Sequence, residues 1–268
     1  MLGVNNVNIL TNDDVKLNYN IYGDGQPIIL VAGYSGNQAT WAAQIEPLKQ
    51  AGFQVITYDR RNHGESQTVD YGMRMSRHGQ DLAELIAALH LNQVILVGHS
   101  MGASTIWSYL SLYGEADVKA IITEDQIPKI LRDETWSLGI FNADITMIWT
   151  AAEKLPHTKL THAKISSDIK RKLAAAYHPF NFKYNEPLLV NSFIEDWRDI
   201  VKRERVPHLF LAGKHSPLWP ADHVYDLKAM STFGEEHIFE EAGHIPHIEE
   251  PENFNQVTIN FLKRIDDY

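Results

Sequence analysis

The segment that decides the fold is QVILVGHSMGA, residues 93–103, in which an apolar run leads directly into a serine framed by glycines. Residues 94–97 are apolar on both faces, which is typical of a strand buried inside a parallel sheet. A helix is expected to begin near Ala103. The segment therefore predicts a strand, a sharp turn with Ser100 at its tip, and then a helix.

A serine in such a turn has a specific chemical use. An alcohol is a weak nucleophile, and it becomes reactive when it is exposed and placed beside a base. Gly98 and Gly102 leave room for the strained turn that exposes the Ser100 side chain. The pattern G-x-S-x-G is common by chance, but its place between a strand and a helix makes Ser100 the predicted nucleophile. The alternative interpretation is a glycine-rich turn without chemistry.

The alternation of short apolar runs and helical patterns continues on both sides of this segment. Four further runs predict strands, at residues 28–31, 55–58, 118–123 and 209–212. Residues 7–11 and 15–22 flank a polar Asn-Asp-Asp turn and predict an antiparallel hairpin. Ser76 is the expected N-cap of one amphipathic helix. These patterns predict an α/β fold with a mostly parallel central sheet, flanking helices and an antiparallel edge.

The alternation stops between about Gln126 and Val206, where short helices are expected instead of strands. We therefore expect a core of residues 1–125 and 206–268 with a helical cap, residues 126–205, inserted into it. Aromatic side chains are scattered through this segment: Trp136, Phe141, Trp149, Tyr177, Phe180, Phe182, Tyr184 and Trp197. They are expected to form the segment's own core, or some of them to form the wall of a pocket over the carboxyl edge of the sheet, where open α/β folds bind ligands, and both can hold at once.

Composition excludes several classes of function. The chain has 268 residues, with 24 Lys and Arg against 34 Asp and Glu, a formal net charge of −10. An acidic chain without a basic run is a poor partner for nucleic acid or for an anionic membrane surface. The absence of cysteine excludes disulfides, thiolate nucleophiles and cysteine-ligated metals. Because no leader pattern or apolar run of ~18 residues is visible, we expect a cytoplasmic protein. Nothing in the sequence indicates an oligomeric state.

Four motifs resemble those of the α/β-hydrolase superfamily, in its branch of small serine hydrolases with a helical cap. The serine turn is the first, and Ala32-Gly33-Tyr34 after a strand is the second. Residues 59–66, DRRNHGES, resemble the family's D-x-R-G-x-G-x-S turn, and Gly243-His244 precedes the last helix. Two departures are mild. Ala32 replaces a non-catalytic histidine, and Asn62 replaces a glycine, which is plausible because asparagine tolerates left-handed backbone.

The resemblance implies roles for further residues. His244 would be the general base, with His247 as its rival and otherwise a supporting or surface residue. His99 would pack beneath the turn. The backbone N–H groups of Tyr34 and Met101 would form the oxyanion hole that acyl transfer requires. No cofactor is implied, and no metal is expected because the histidines lack metal-binding spacings such as H-E-x-x-H.

The acid of the triad is where this chain departs from the family. The usual aspartate position is occupied by Ser216, in Gly213-Lys214-His215-Ser216. A serine hydroxyl cannot stabilise an imidazolium as a carboxylate does. Asp125, just beyond the strand that follows the serine helix, is the best candidate, since haloalkane dehalogenases and cofactor-free dioxygenases of the superfamily place their acid there. Glu124 and Asp222 are the alternatives.

The leading hypothesis is a carboxylesterase-like serine hydrolase that cleaves a small apolar ester, thioester or lactone through an acyl-enzyme. Its catalytic residues would be Ser100, His244 and Asp125. A cofactor-free dioxygenase on the same fold is a second hypothesis, which oxygen uptake with a heteroaromatic substrate would reveal. A ligand-sensing protein with little turnover is a third, because the usual aspartate is missing.

Overall fold

The computed structural model describes residues 7–267, so the first residues of the chain, where no leader pattern was found, lie outside it. Its centre is an eight-stranded sheet with the order β1-β2-β4-β3-β5-β6-β7-β8. The strands are β1 (Val7–Leu10), β2 (Lys16–Tyr22), β3 (Gln26–Val31), β4 (Phe53–Tyr58), β5 (Val94–His99), β6 (Val118–Glu124), β7 (His208–Gly213) and β8 (Gly234–Phe239).

The sheet is parallel except at one edge. β1 pairs antiparallel with β2, with Val7 opposite Tyr19 and Leu10 opposite Lys16, and β2 pairs antiparallel with β4. All other neighbours run parallel, so the carboxyl ends of β3, β5, β6 and β7 meet at one edge. The predicted α/β fold with an antiparallel edge is confirmed. This topology brings the loops after those four strands together.

Helices cover both faces of the sheet, because the inner strands are apolar on both sides. One face packs against α2 (Met75–Ala88), α3 (Met101–Tyr113) and α8 (His223–Met230), and the other against α1 (Ile45–Gln50) and α10 (Pro251–Leu262). The short helix α9 (Pro246–Glu249) precedes α10. Among the described residues, no helix has the length and hydropathy needed to cross a bilayer.

Two predicted helix starts were wrong. Ser76 does not cap α2, because the helix begins one residue earlier and Arg74 holds the N-cap position with extended backbone. The helix after the serine turn begins at Met101 rather than near Ala103, since Ser100 itself is the N-cap residue. In both cases the side chain of the N-cap residue itself makes no capping hydrogen bond.

The segment between β6 and β7 contains four α-helices: α4 (Ile148–Lys154), α5 (Ser167–Ala175), α6 (Phe182–Ile194) and α7 (Arg198–Arg203). Residues 126–205 are called the insertion below. Its aromatic side chains have different environments. Trp136 is buried in an apolar cluster, whereas Trp149 and Tyr177 are 63% and 73% exposed. Phe182 lines a cavity above the sheet. Both expectations therefore hold for part of the set, a core position for Trp136 and a pocket wall for Phe182.

Candidate active site

Ser100 lies at a strained turn between β5 and α3. Its backbone has φ 51° and ψ −123°, a conformation that non-glycine residues rarely adopt and that is costly outside functional sites. The neighbouring glycines are required by close packing. A Cβ on Gly98 would lie 2.6 Å from the Ala103 nitrogen, and one on Gly102 would lie 2.2 Å from the Val31 carbonyl oxygen. The turn therefore holds the Ser100 side chain at the carboxyl edge of the sheet.

Ser100 and His244 line the same cavity, which has a volume of about 310 Å³. The backbone N–H of Ser100 donates to the Glu124 carbonyl at 2.9 Å, which ties the serine turn to the end of β6. Within the described chain, no hydrogen bond joins the Ser100 hydroxyl to the His244 imidazole. Hydrogen bonds of this kind often shorten only when substrate is bound.

Asp125 accepts a hydrogen bond from His244 Nδ1 at 2.9 Å through Oδ1. The same oxygen accepts from the Ser216 hydroxyl at 2.8 Å and from Trp219 Nε1 at 3.0 Å. Oδ2 accepts from the Gly213 backbone N–H at 2.8 Å. The Asp125 carboxylate is thus fully buried and has four donors, two of which come from the loop that contains Ser216.

These contacts determine the ionisation of Asp125. Burial alone would raise its pKa, but the hydrogen bond and charge of His244, with the other nearby donors, hold the pKa below its ordinary value. A carboxylate that stays ionised can fix the imidazole tautomer and stabilise an imidazolium. The structure places Asp222 elsewhere, exposed at the N-cap of α8.

Glu124 contacts the second histidine of the loop. Its carboxylate accepts from the backbone N–H of His247 at 2.8 Å and lies 2.7 Å from His247 Nδ1. The His247 ring stacks on Trp41, with ring centres 4.0 Å apart, and both side chains are fully buried. Burial raises the pKa of Glu124 to about 7 and lowers that of His247 to about 3. His247, if not the base, was expected to be either a supporting residue or a surface residue, and its burial excludes the surface position.

His99 lies behind the serine turn, where it was expected. Its Nε2–H donates to the His244 backbone carbonyl at 2.9 Å, and its ring centre is 4.8 Å from that of His244. Burial lowers the pKa of His99 to about 3, so the ring is neutral. His99 therefore links β5 to the loop that carries the proposed base.

The other two predicted donors are the backbone N–H groups of Tyr34, in the loop after β3, and of Met101, the first residue of α3. Tyr34 and Met101 both lie beside Ser100, lining a second and smaller cavity with it. Among the described residues, neither backbone N–H has an acceptor, so both are free to bind an oxyanion. Gly33 has no space for a side chain, because a Cβ would lie 2.8 Å from His99 Nδ1.

Arg60 was not singled out from the sequence, although it lies inside the quoted DRRNHGES stretch. Its guanidinium is buried and donates to the Gly33 carbonyl at 2.8 Å. Its other partners are the His63 and His78 rings, at 3.1 and 3.4 Å, neither of which is an anion. Burial, together with the nearby Arg60 charge, lowers the pKa of both histidines well below the ordinary range. The buried cation thus lies directly behind the Gly33–Tyr34 peptide.

The other supporting residues were also missed by sequence reasoning. The backbone N–H of Gly213, at the end of β7, and Trp219, in the loop after β7, contact Asp125, and no motif marks Trp219. Ser216 carried a signal only as a departure from the family pattern. In the part of the chain that the structure describes, no group of three or more His, Asp or Glu side chains is arranged to hold a metal ion.

The chain is similar in sequence and in fold to known proteins. The model of the alpha/beta hydrolase family matches residues 28–257. The AB hydrolase superfamily protein YisY of Bacillus subtilis is 27% identical over 261 residues, 94% of this chain and 97% of that protein. The esterase EaEST from Exiguobacterium antarcticum has the same fold, with a TM-score of 0.85, 21% identity and coverage of 96% of this chain and 98% of the esterase.

A second kind of relative matches over a shorter stretch. The non-heme chloroperoxidase CPO-A1 of Kitasatospora aureofaciens is 31% identical over 121 residues, 45% of this chain and 44% of that protein. Four curated relatives with non-heme peroxidase names are each matched over less than half of their own length.

Proposed function

The chain belongs to the alpha/beta hydrolase family, and from that membership we propose that it is a serine hydrolase cleaving a small apolar ester, thioester or lactone through an acyl-enzyme. One observation carries the proposal. Ser100 and His244 line one cavity, while Asp125 accepts a hydrogen bond from His244 Nδ1 at 2.9 Å and is not among the residues that line that cavity. This is the relation among nucleophile, base and orienting carboxylate that acyl transfer uses.

In the first half-reaction His244 takes the Ser100 proton as the serine oxygen attacks the substrate carbonyl carbon. The carbonyl oxygen becomes an oxyanion, which the backbone N–H groups of Tyr34 and Met101 stabilise. The carbon–oxygen bond to the leaving alcohol then breaks, and His244 returns the proton to that oxygen. The products are the free alcohol and an ester of Ser100.

In the second half-reaction water takes the place of the alcohol. His244 removes a proton from water, and the hydroxide attacks the acyl carbon of the Ser100 ester. The bond to the serine oxygen breaks, and His244 reprotonates that oxygen. Asp125 stabilises the imidazolium that forms in each half-reaction.

The test is covalent labelling combined with turnover. A fluorophosphonate should label the wild type and not Ser100→Ala, and p-nitrophenyl acetate should be hydrolysed over many cycles. Labelling that survives the substitution would exclude Ser100 as the nucleophile. Release of only one equivalent of p-nitrophenol would favour a ligand-sensing protein, and oxygen uptake with a heteroaromatic substrate would favour a dioxygenase.

The chloroperoxidase relatives favour a second candidate activity of the same site. Hydrogen peroxide could replace water in attacking the Ser100 ester, which would release a peracid and regenerate the serine. A peracid oxidises bromide in solution. Bromination of monochlorodimedone that requires both acetate and peroxide, and that is lost in Ser100→Ala, would establish this activity.

A further inference from the structure

Ser100 lies where two cavities of very different size meet. The larger has a volume of about 310 Å³ and the smaller about 20 Å³, and Ser100, Tyr34 and Leu155 line both. An ester bound at Ser100 has two parts, the acyl group and the alcohol, which extend in different directions from the carbonyl carbon. Each cavity can therefore hold one of these parts.

The position of the base decides which part enters which cavity. His244 lines the large cavity together with Ile245 and Ile248, and it is not among the residues that line the small one. The base must reach the leaving oxygen to protonate it. The alcohol therefore occupies the large cavity, and the acyl group extends into the small cavity beside Met101.

The small cavity limits the acyl group in size and charge. A volume of about 20 Å³ holds a group of one or two heavy atoms, since ~10–15 Å³ holds one water molecule. Its apolar wall is formed by Ile130, Ile140, Leu189, Phe193 and Leu218. The polar side chains Ser192, Gln126 and Trp219 already donate hydrogen bonds within the protein. No described lining residue carries a charge that could pair with a second carboxylate on the acyl group.

The large cavity favours a bulky apolar alcohol. Its volume lies at the lower end of the ~300–1,000 Å³ range of small-molecule sites. Its wall includes Leu155, Leu160, Ile165, Leu173 and Phe182 from the insertion. The described residues that line it include no Asp, Glu, Lys or Arg. The insertion thus provides apolar surface on the alcohol side, where a leaving group of several carbons can be buried.

We infer that the substrates are esters of a short, uncharged acyl group, of the acetyl or propionyl class, with a bulky apolar alcohol. This inference rests on the proposed serine hydrolase function and specifies its substrate class. Hydrolysis would consume one water and release a short carboxylic acid and the free alcohol.

The test varies one half of the ester at a time. With 2-phenylethanol as the alcohol, kcat/KM for the acetate should exceed that for the butyrate by at least about 10-fold, because the extra methylenes do not fit the small cavity. With acetate as the acyl group, kcat/KM for 2-phenylethyl acetate should exceed kcat/KM for ethyl acetate by about 10-fold or more, because the phenyl group is buried. Equal or reversed ratios in either series would overturn the inference.

A pair of variants on α6 separates the wall of the cavity from general stability. Leu188 and Leu189 are both buried, but only Leu189 lines the small cavity. Leu189→Ala should bring the acetate-to-butyrate ratio to within about threefold of unity, because the lost side-chain volume enlarges the cavity. Leu188→Ala should leave the ratio at its wild-type value. A ratio that changes equally in both variants, or in neither, would contradict the assignment of the acyl site.

The wild-type ester series does not depend on either variant folding. Fluorophosphonate labelling of Ser100 keeps the two levels of the proposal apart. If Ser100 is labelled but kcat/KM is equal for the acetate and the butyrate, the substrate class alone would be overturned. Absence of both labelling and ester turnover would overturn the proposed function, and the substrate class with it.

Discussion

At the scale of single residues, the adjacent carboxylates Glu124 and Asp125 bind two different histidines. Asp125 has φ 46°, a left-handed conformation, at the point where β6 ends. The chain turns there, so Asp125 contacts His244 whereas Glu124 contacts His247. The sequence favoured Asp125 as the acid and left Glu124 and Asp222 as alternatives. The choice between Asp125 and Glu124 depends on this backbone turn, which has no sequence pattern of its own.

Asp125→Asn is expected to lower kcat by at least about 10²-fold without unfolding the protein, because an amide cannot stabilise the imidazolium. Asp222→Asn is the matched control, since that side chain is exposed at a helix end, and its kcat should stay within about threefold of wild type. Stopped-flow acylation rates with p-nitrophenyl acetate would provide the measurement. If Asp125→Asn kept a near-wild-type kcat, the acid that orients His244 would have to be another residue.

Ser216→Asp provides a reverse test in the Asp125→Asn background. Ser216 lies 2.8 Å from the Asp125 carboxylate, so an aspartate there would put a new negative charge close to the His244 imidazole. We expect kcat of the double variant to recover by about 10-fold relative to Asp125→Asn, through the charge alone. A double variant no faster than Asp125→Asn would show that position 216 cannot supply the acid in this loop.

Arg60 should act through the Gly33–Tyr34 peptide. In a trans peptide the carbonyl and the following N–H point in opposite directions, so the Arg60 hydrogen bond to Gly33 fixes and polarises the Tyr34 N–H. Arg60→Met should lower kcat/KM by about 10- to 100-fold. Affinity for a boronic acid inhibitor should fall in parallel, while KM changes little.

Arg61→Met is the contrasting variant, because Arg61 forms a buried salt bridge with Asp81 at 2.6 Å. Its removal should cost about 1–3 kcal/mol of unfolding free energy, since the buried Asp81 carboxylate would lose its hydrogen bonds from Arg61 and keep only those from Arg77. Loss of stability with unchanged inhibitor affinity in Arg60→Met would show that Arg60 has only a structural role.

At the scale of elements, the serine turn depends on contact between α3 and the end of β3. Gly102→Ala should destabilise the protein by about 1–3 kcal/mol or more and lower kcat, because the new Cβ meets backbone atoms that cannot move away. Gly114→Ala is the comparison at the other end of α3. Gly114 has φ 74°, but no atom lies within 4 Å of the position that a new Cβ would take. The substitution should cost about 1–3 kcal/mol through backbone strain alone and leave kcat unchanged. Chemical denaturation and steady-state kinetics would distinguish them.

The strands were predictable because a buried strand is marked by a run of apolar residues, and this mark is local. The first residues of the helices were less predictable. Ser76 has a side chain that often caps helices, yet α2 begins at Met75 because the loop before it is held by contacts from distant residues. One such contact is the Asn191 side chain, which accepts from the Met75 N–H at 2.6 Å. Contacts of this kind have no local signal.

At the scale of the whole molecule, the cavity combines loops of the sheet with the insertion. The sheet loops supply the proposed catalytic residues, which the order of the motifs in the sequence indicated. The insertion supplies Leu155, Leu160, Ile165 and Leu173, side chains that single-sequence reasoning could not distinguish from ordinary core residues. Of the insertion's aromatic side chains, some of which were expected at a pocket wall, Phe182 lines the large cavity, and aliphatic side chains form most of that wall.

Glu124 links pH to the stability of the assembled molecule. Its folded pKa, about 7, lies above the ordinary value of 4.5, so the folded chain holds the proton more tightly than the unfolded chain does. The associated stability is present below about pH 4.5 and is lost as pH rises to about 7. The difference in unfolding free energy between wild type and Glu124→Gln should therefore decrease across this interval. Urea denaturation at several pH values would measure it, and a constant difference would contradict the shift.

The arrangement at the end of β6 also has a consequence for biosynthesis. Glu124 and Asp125 are translated about 120 residues before the histidines that they bind, and the insertion separates the two groups. Until residues 244–247 have left the ribosome, a nascent chain that closes its sheet would bury two adjacent carboxylates without an imidazole. Such a state is costly, so the β6 end should remain open to solvent until residues 244–247 have been synthesised. Truncated chains that end before His244 should therefore be cleaved by proteases more readily than chains that contain it.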